Sequence, residues 1–354
     1  MPTRVDFHLP FQAPVTRPSE VERARLRTVD WAREHGLLKP TDESVRYFLS
    51  MRLADVATGF SPDARGADLD VMTDLITWTA VCDDFFDGPV GDDPARAMAA
   101  VTELARVTTG AAGATAAHPG NPLVSATADL WARMAEPMSD RWRLRAGRNW
   151  RRFLLSFLAE ADARRARRIP TVTEYFRLRQ ETMAMYVYLD AAERSDHREV
   201  PEAVLSSEAV RELLALEIEI LACCNDVHSV EHEEARGDTH NLVLVLERRE
   251  GLSRDDAIER IRGWVHERSE RFLAVRAGLP RLWAALGLTP AERAAAEAHV
   301  TTMTHQMRVT YDWSRATARY TAPAPVTAAA EATRPPYLAF AQPAVPAVPG
   351  GRGR

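Results

Sequence analysis

The amino-acid sequence predicts an all-α fold, a single-domain helical bundle with a central cavity. Apolar residues recur at helical spacing over residues 18–320, and no stretch shows the alternation with period two that is typical of a half-buried β-strand. Residues 213–224 are apolar on nearly every side of a helix, so we expect an inner helix that packs against neighbours all around it. A bundle built around such a helix can enclose a pocket.

The predicted helices follow one another along the chain. The first begins after Pro18, where Ser19 and Glu22 have the spacing of a capping box, and it ends at Gly36. The remaining helices are predicted over residues 41–57, 69–87, 93–108, 123–138, 141–164, 173–194, 207–234, 253–277 and 290–319. The longer connections between them are rich in Gly, Pro and charged residues, as helix-to-helix loops usually are.

The composition changes after Tyr320. Residues 321–354 contain seven prolines and ten alanines among 34 residues, with too few large apolar side chains to build a core. We therefore predict one globular domain over residues 1–320 and a Pro- and Ala-rich disordered tail over residues 321–354. Residues 337–340 are the one patch of this tail that we expect to be able to dock.

The overall composition is that of an ordered protein in a reducing compartment. Of the 354 residues 46% are hydrophobic and 27% charged, and the net charge of -5 lacks the basic excess of a nucleic-acid-binding protein. Three cysteines cannot form a disulfide framework. Residues 1–10 have no apolar signal-peptide segment, and no run approaches the roughly 18 apolar residues of a membrane span. We expect a cytoplasmic protein with no nucleic-acid partner and no membrane insertion.

Three carboxylates lie at the C-terminal end of the predicted helix 69–87. Asp83, Asp84 and Asp87 follow an apolar stretch and precede a stop signal at Gly88. A helix C-terminus already carries partial negative charge, so carboxylates there lower stability unless cations are supplied. Asp83 and Asp87 are four residues apart and share a face, and such oxygen ligands suit Mg²⁺. For this motif alone, an acidic helix end exposed to solvent is an equally good interpretation.

An amide, a hydroxyl and a carboxylate line up on the predicted helix 207–234. Asn225, Ser229 and Glu233 are spaced by four residues, so their side chains form one stripe that rises roughly 12 Å along the helix. The stripe begins where the apolar inner segment ends, which predicts a position at a pocket mouth. Three oxygen donors in a row favour a functional site, and a solvated helix face is the alternative for Glu233.

Cationic residues at two places complete the set of candidate functional residues. Arg179 lies in the predicted helix 173–194, and Arg319 with Tyr320 ends the last predicted helix. Each arginine taken separately is typical of a solvated or ion-paired side chain. Their value as candidates lies in their combination with the two other motifs.

These motifs resemble those of the bacterial class I terpene synthases, or terpene cyclases. Residues 83–87 are similar to the family's aspartate-rich motif, and residues 225–233 are similar to its second metal motif. Arg319 and Tyr320 match its C-terminal Arg-Tyr pair. Arg179 precedes the second motif by 46 residues, which is the spacing of the family's diphosphate-sensing arginine.

The resemblance covers residues 7–320 and implies an enzyme that ionises an acyclic prenyl diphosphate. The carbocation then cyclises to a terpene hydrocarbon or alcohol, with release of diphosphate. The family resemblance implies three Mg²⁺ ions when diphosphate is bound, with ligands from Asp83, Asp84, Asp87, Asn225, Ser229 and Glu233. It implies catalytic, diphosphate-binding roles for Arg179, Arg319 and Tyr320. It leaves a homodimer open.

The resemblance also indicates which side chains contact the substrate. His232 stands where the family commonly has a lysine, so we expect a weaker, pH-sensitive contact with the diphosphate. Met183 occupies a position that is often small, and Thr79 and Ala80 occupy positions that are often aromatic. The candidate pocket aromatics are Phe85, Phe86, Tyr188 and Trp313.

The size of the substrate remains open at this stage. We expect the C15 substrate farnesyl diphosphate, and the small side chains before Asp83 keep the C20 substrate geranylgeranyl diphosphate as the alternative. A chain-elongating prenyl diphosphate synthase would carry a second aspartate-rich motif in place of residues 225–233. A non-catalytic helical scaffold would show internal repeats of about 30 to 50 residues, and we find none.

Overall fold

The computed structural model describes residues 5–108, 121–166, 168–235, 237–320 and 338–339. Within these residues the fold is all-α and contains no strand, which confirms the predicted fold class. The helices are, in chain order, α1 (Pro18–Glu34), α2 (Asp42–Ser50), α3 (Leu53–Phe60), α4 (Gly66–Phe86), α5 (Pro94–Thr108), α6 (Pro122–Ala135), α7 (Asp140–Ala166), α8 (Val172–Thr182), α9 (Met185–Ser195), α10 (Glu202–Leu205), α11 (Glu208–Ala235), α12 (Leu242–Glu250), α13 (Arg254–Ala285) and α14 (Pro290–Ala316).

Helix α11 is the inner helix that the sequence predicts. Its apolar side chains, among them Leu213 and Leu221, are buried, and it packs against both α13 and α14. Helix α4 is buried over most of its length and packs against α1, α3, α6 and α9. The two large hydrophobic clusters of the described residues lie around α4 and α7 and around α11, α13 and α14, and Tyr188 contacts both. Residues from both clusters line the cavity between them.

Two predicted helices are broken in the structure. The helix predicted over residues 41–57 breaks at Arg52, and the helix predicted over residues 173–194 breaks at Ala184, each with φ of 57°. The prediction of two continuous helices is therefore wrong. Neither residue is Gly or Pro, so the sequence has no breaking signal at these positions, and its apolar periodicity continues through both. A side chain in this left-handed region costs roughly 1–2 kcal/mol. The break at Ala184 places Met183 and Ala184 in the cavity wall.

Other element boundaries differ less. Helix α12 was not predicted, because its nine residues are too few to show a full helical pattern. The side chain of Asn241 caps the N-terminus of this helix. Helix α13 continues through Pro280 to Ala285 and passes its predicted end at residue 277. Among the helices of the described residues, none combines the length and the hydrophobicity of a transmembrane segment.

The predicted tail lies outside the described residues, apart from Leu338 and Ala339. Leu338 is buried and forms an antiparallel β-bridge with Leu38. The backbone N–H of Ala339 donates to the carbonyl of Leu37 at 3.2 Å. These two residues belong to the patch 337–340 that the sequence predicts as able to dock.

Candidate active site

A cavity of about 220 Å³ lies between α3, α4, α7, α8, α9, α11 and α14. Its inner wall is apolar and is lined by Leu53, Val56, Phe60, Ile76, Phe153 and Tyr188. Charged and polar side chains form another part of the lining, among them Asp83, Asp87, Arg179, Asn225, Glu233 and Arg319. Such a cavity can hold a ligand with one polar end and one hydrocarbon end.

The aspartate-rich motif lies where α4 ends. One carboxylate oxygen from each of Asp83, Asp84 and Asp87 lies within 4.8 Å of the others. Arg319 neutralises this cluster: its Nη2 is 2.5 Å from Oδ2 of Asp83 and 2.8 Å from Oδ1 of Asp84. Nη1 of Arg164 is 3.6 Å from Oδ1 of Asp87. The sequence analysis predicts that cations stabilise this helix end. In the structure they are Arg164 of α7 and Arg319, which follows α14.

Asn225 and Glu233 line the cavity from α11, whereas Ser229 lies behind its lining. The Asn225 amide donates to the hydroxyl of Tyr320 at 2.8 Å and accepts from Nη2 of Arg179 at 3.1 Å. Ser229 is buried, and its hydroxyl donates to the carbonyl of Asn225 at 3.0 Å, one helical turn back. The predicted stripe is therefore formed, with two of its three side chains in the cavity wall.

Glu233 is a half-buried carboxyl group beside other acids. Burial raises its pKa well above the usual range, and Asp226 and Asp238 raise it further. Its Oε2 accepts a hydrogen bond from Asn241 at 3.0 Å. This concentration of carboxyl groups favours the binding of a cation, because a cation stabilises their ionised forms.

Arg179 is held by a carboxylate that the sequence analysis did not single out. Nη2 of Arg179 is 2.8 Å from Oδ1 of Asp226, which is fully buried. Asp226 also accepts hydrogen bonds from the hydroxyl of Tyr175 at 2.7 Å and from the backbone N–H of Leu242 at 2.5 Å. Nε of Arg179 is buried and has no hydrogen-bond partner among the described residues. One donor of this arginine therefore remains for a bound oxyanion.

Two further charged residues of the cavity wall come from α7. Glu160 and Arg164 line the cavity and lie one helical turn apart. Burial raises the pKa of Glu160 to about 8, Arg164 opposes this shift, and Asp83 and Asp87 add to it. In the sequence both residues belong to a stretch rich in charged residues, which is typical of a solvated helix face, so neither was singled out. The spacing of four residues is the only signal that could have identified them.

Most of the residues predicted to contact the substrate lie in the cavity wall. Ala80, Met183, Tyr188, His232 and Trp313 all line the cavity. Tyr188 also shares a hydrogen bond of 2.6 Å with the hydroxyl of Thr79, another lining residue.

Phe85 and Phe86 do not line the cavity, and their prediction as pocket aromatics is wrong. Both are buried, and the ring of Phe86 stacks on Phe157 of α7 with centroids 4.2 Å apart. The face of α4 toward the cavity carries residues 76, 79, 80, 83 and 87. The two phenylalanines lie beside this face and belong to the core. Asp84 is likewise absent from the lining and pairs with Arg319 instead.

The all-α bundle and its cavity form a class I terpenoid synthase fold. Residues 74–271 match the family model described as terpene synthase family 2, C-terminal metal binding. The chain is 36% identical over 324 residues to pentalenene synthase of Streptomyces avermitilis, covering 91% of this chain and 94% of that protein. It is 37% identical over 322 residues to the (-)-beta-caryophyllene synthase of Saccharothrix espanaensis, covering 91% of this chain and 90% of that one.

A solved structure of wild-type cucumene synthase matches with a TM-score of 0.74 and 33% identity, over 88% of this chain and 100% of that chain. The chain belongs to the terpene synthase family. It is a metal-dependent terpene synthase, and this result decides against the chain-elongating synthase and the non-catalytic scaffold.

Proposed function

We propose that this terpene synthase ionises farnesyl diphosphate in the presence of Mg²⁺ and cyclises the carbocation to a C15 product. The main support for the proposal is that Arg319 and Tyr320, at the end of the predicted domain, contact both predicted metal motifs. Arg319 pairs with Asp83 and Asp84, and the Tyr320 hydroxyl accepts from Asn225. The similar caryophyllene synthase is a (2E,6E)-farnesyl diphosphate cyclizing enzyme, which supports the same substrate here.

The residues present suit Mg²⁺. The donor set consists only of oxygen atoms, and the half-buried carboxyl of Glu233 lies beside further acids, as a cation site requires. We assign Asp83, Asp84 and Asp87 to one part of the metal site. Asn225, Ser229 and Glu233 form the other part, and three ions are expected with diphosphate bound. The chemistry supplied by bound Mg²⁺ is neutralisation of the charge that develops on the diphosphate as its bond to carbon breaks.

The arginines of the mouth hold the leaving group. Arg179 offers its unpaired Nε–H, and Arg319 and Tyr320 close over the diphosphate from the end of the domain. The C–O bond breaks heterolytically, and its electron pair leaves with the diphosphate. These donors stabilise that charge in a site from which water is excluded, and so they protect the cation.

The apolar wall shapes the reaction of the carbocation. Phe60, Phe153, Tyr188 and Trp313 supply aromatic rings to the cavity. An aromatic face stabilises a nearby cation by about 0.5 to 2 kcal/mol. Loss of a proton from the final cation gives a hydrocarbon, and capture of one water molecule by that cation followed by loss of a proton gives an alcohol.

The proposal is tested by measuring release of inorganic diphosphate from C10, C15 and C20 prenyl diphosphates, with and without Mg²⁺. We expect Mg²⁺-dependent release, fastest for the C15 substrate. Faster release from geranylgeranyl diphosphate would replace the proposed substrate by the C20 alternative. No release from any of the three would refute the proposed ionisation.

Enlarging Ala80 is expected to reduce the space for the substrate. Ala80 lies in the cavity wall one turn before Asp83, so Ala80→Phe brings a ring into the cavity. We expect products that are less cyclised, and a larger loss of rate for the C20 than for the C15 substrate, through overpacking of about 1 to 3 kcal/mol. Gas chromatography with mass spectrometry measures both. Ala67→Phe, on the exposed part of the same helix, is the matched control. Identical products and substrate preference in both variants would show that residue 80 does not shape the reaction.

A further inference from the structure

The end of α4 depends on a second cation besides Arg319. Arg319 contacts Asp83 and Asp84, and the same helix end also carries Asp87 and the last carbonyl groups of the helix. Arg164 of α7 contacts both: its Nη2 donates to the carbonyl oxygen of Phe86 at 2.9 Å, and its Nη1 is 3.6 Å from Oδ1 of Asp87. A guanidinium placed here neutralises the negative end of the helix and the adjacent carboxylate together.

The loop after α4 leaves just enough room for this contact. A Cβ atom on Gly91 would lie 1.6 Å from the carbonyl oxygen of Phe86 and 2.4 Å from Nη2 of Arg164. A side chain at position 91 would therefore occupy the place where the arginine meets the helix end. The side chain of Arg164 is only 16% exposed.

Arg164 is also surrounded by acids that face the cavity. Glu160, one turn earlier on α7, and Asp238, in the loop after α11, line the same cavity as Arg164 and Asp87. The interaction between Arg164 and Glu160 favours the ionised form of that buried carboxyl group. Removing the guanidinium would leave several carboxyl groups beside the helix end without this compensation.

We propose that Arg164 is a positioning residue, which fixes the last turn of α4 so that Asp83 and Asp87 are oriented for metal binding. This inference rests on the proposed Mg²⁺-dependent function. Asp83 and Asp87 share the face of α4 toward the cavity, and Arg164 anchors the backbone between them. Its effect therefore appears in metal affinity more than in substrate affinity.

The test uses Arg164→Gln, Arg164→Lys and the control Arg165→Gln, which changes the neighbouring exposed arginine of the same helix. Thermal unfolding in inorganic diphosphate is followed as Mg²⁺ is added, and the Mg²⁺ dependence of turnover is measured in parallel. We expect Arg164→Gln to raise the Mg²⁺ concentration for half-maximal stabilisation about tenfold or more, as is typical for residues that orient metal ligands. At saturating Mg²⁺ the KM for farnesyl diphosphate should change little. The lysine variant should recover part of the affinity, because it restores the charge without the two-pronged contact.

The outcomes separate this inference from the proposed function. A wild-type enzyme that releases no diphosphate would refute the function itself. An active wild type whose Arg164→Gln variant matches Arg165→Gln in Mg²⁺ dependence would refute the role of Arg164. If the glutamine variant loses its helical circular dichroism, the lysine variant decides: a Mg²⁺ requirement equal to that of the wild type would overturn the inference.

Discussion

Asn225→Ala and Glu233→Ala are each expected to lower turnover of farnesyl diphosphate by about 10³-fold or more, with the helix content unchanged. Each variant removes an oxygen ligand from the metal site on α11, and a catalytic metal ion stabilises the transition state by several kcal/mol. Asn225 in addition connects Arg179 to Tyr320, so its loss disturbs both diphosphate donors. Steady-state kinetics and circular dichroism measure the two expected effects.

Glu234→Ala is the matched control, because this neighbouring glutamate of α11 is exposed and pairs with Arg254 on the protein surface. We expect it to retain activity close to that of the wild type. If Asn225→Ala or Glu233→Ala retained a comparable rate, the assignment of the metal ligands on α11 would be wrong.

Arg179→Lys is expected to lower the rate about 10- to 100-fold, although the charge is kept. The guanidinium holds Asn225 and Asp226 through one nitrogen and has a further buried donor for the diphosphate. A lysine ammonium cannot hold Asn225 and Asp226 and also donate to the diphosphate. The lost hydrogen bond to a charged group is worth about 1.5 to 3 kcal/mol, which corresponds to the expected loss of rate. The rate of diphosphate release under single-turnover conditions measures this loss.

Arg177→Lys gives the comparison, since Arg177 is an exposed residue of the same helix. We expect it to behave as the wild type does. Equal rates for the Arg177 and Arg179 variants would reduce Arg179 to a structural residue that only holds α8 against α11.

The parts of the site that follow a helical period could be predicted from the sequence. Asp83 and Asp87 share a face of α4 because four residues make about one turn, and the same rule aligns Asn225, Ser229 and Glu233. The partial negative charge of a helix C-terminus also predicts that the acidic end of α4 needs cations. It did not identify Arg164, because the partner comes from a helix more than 70 residues away in the chain.

Features set by tertiary packing could not be predicted. The break at Ala184 has no Gly or Pro to mark it, and it exists because the surrounding helices hold that residue in an unfavourable conformation. Phe85 and Phe86 lie so close to the cavity face of α4 that sequence alone placed them in it, whereas packing against α7 places Phe86 in the core. Asp226 follows a predicted ligand directly, and only the structure distinguishes its role as the support of Arg179.

We propose above that this chain converts farnesyl diphosphate to a cyclic C15 product with Mg²⁺. Identification of the product tests this proposal most directly. The purified full-length protein is incubated with farnesyl diphosphate and Mg²⁺, and the extract is examined by gas chromatography with mass spectrometry. A parallel incubation contains a chelator in excess of the metal. We predict a cyclic C15 hydrocarbon or alcohol, formed with one equivalent of inorganic diphosphate, and none with the chelator. Recovery of intact substrate, or conversion to a longer prenyl diphosphate, would contradict the account.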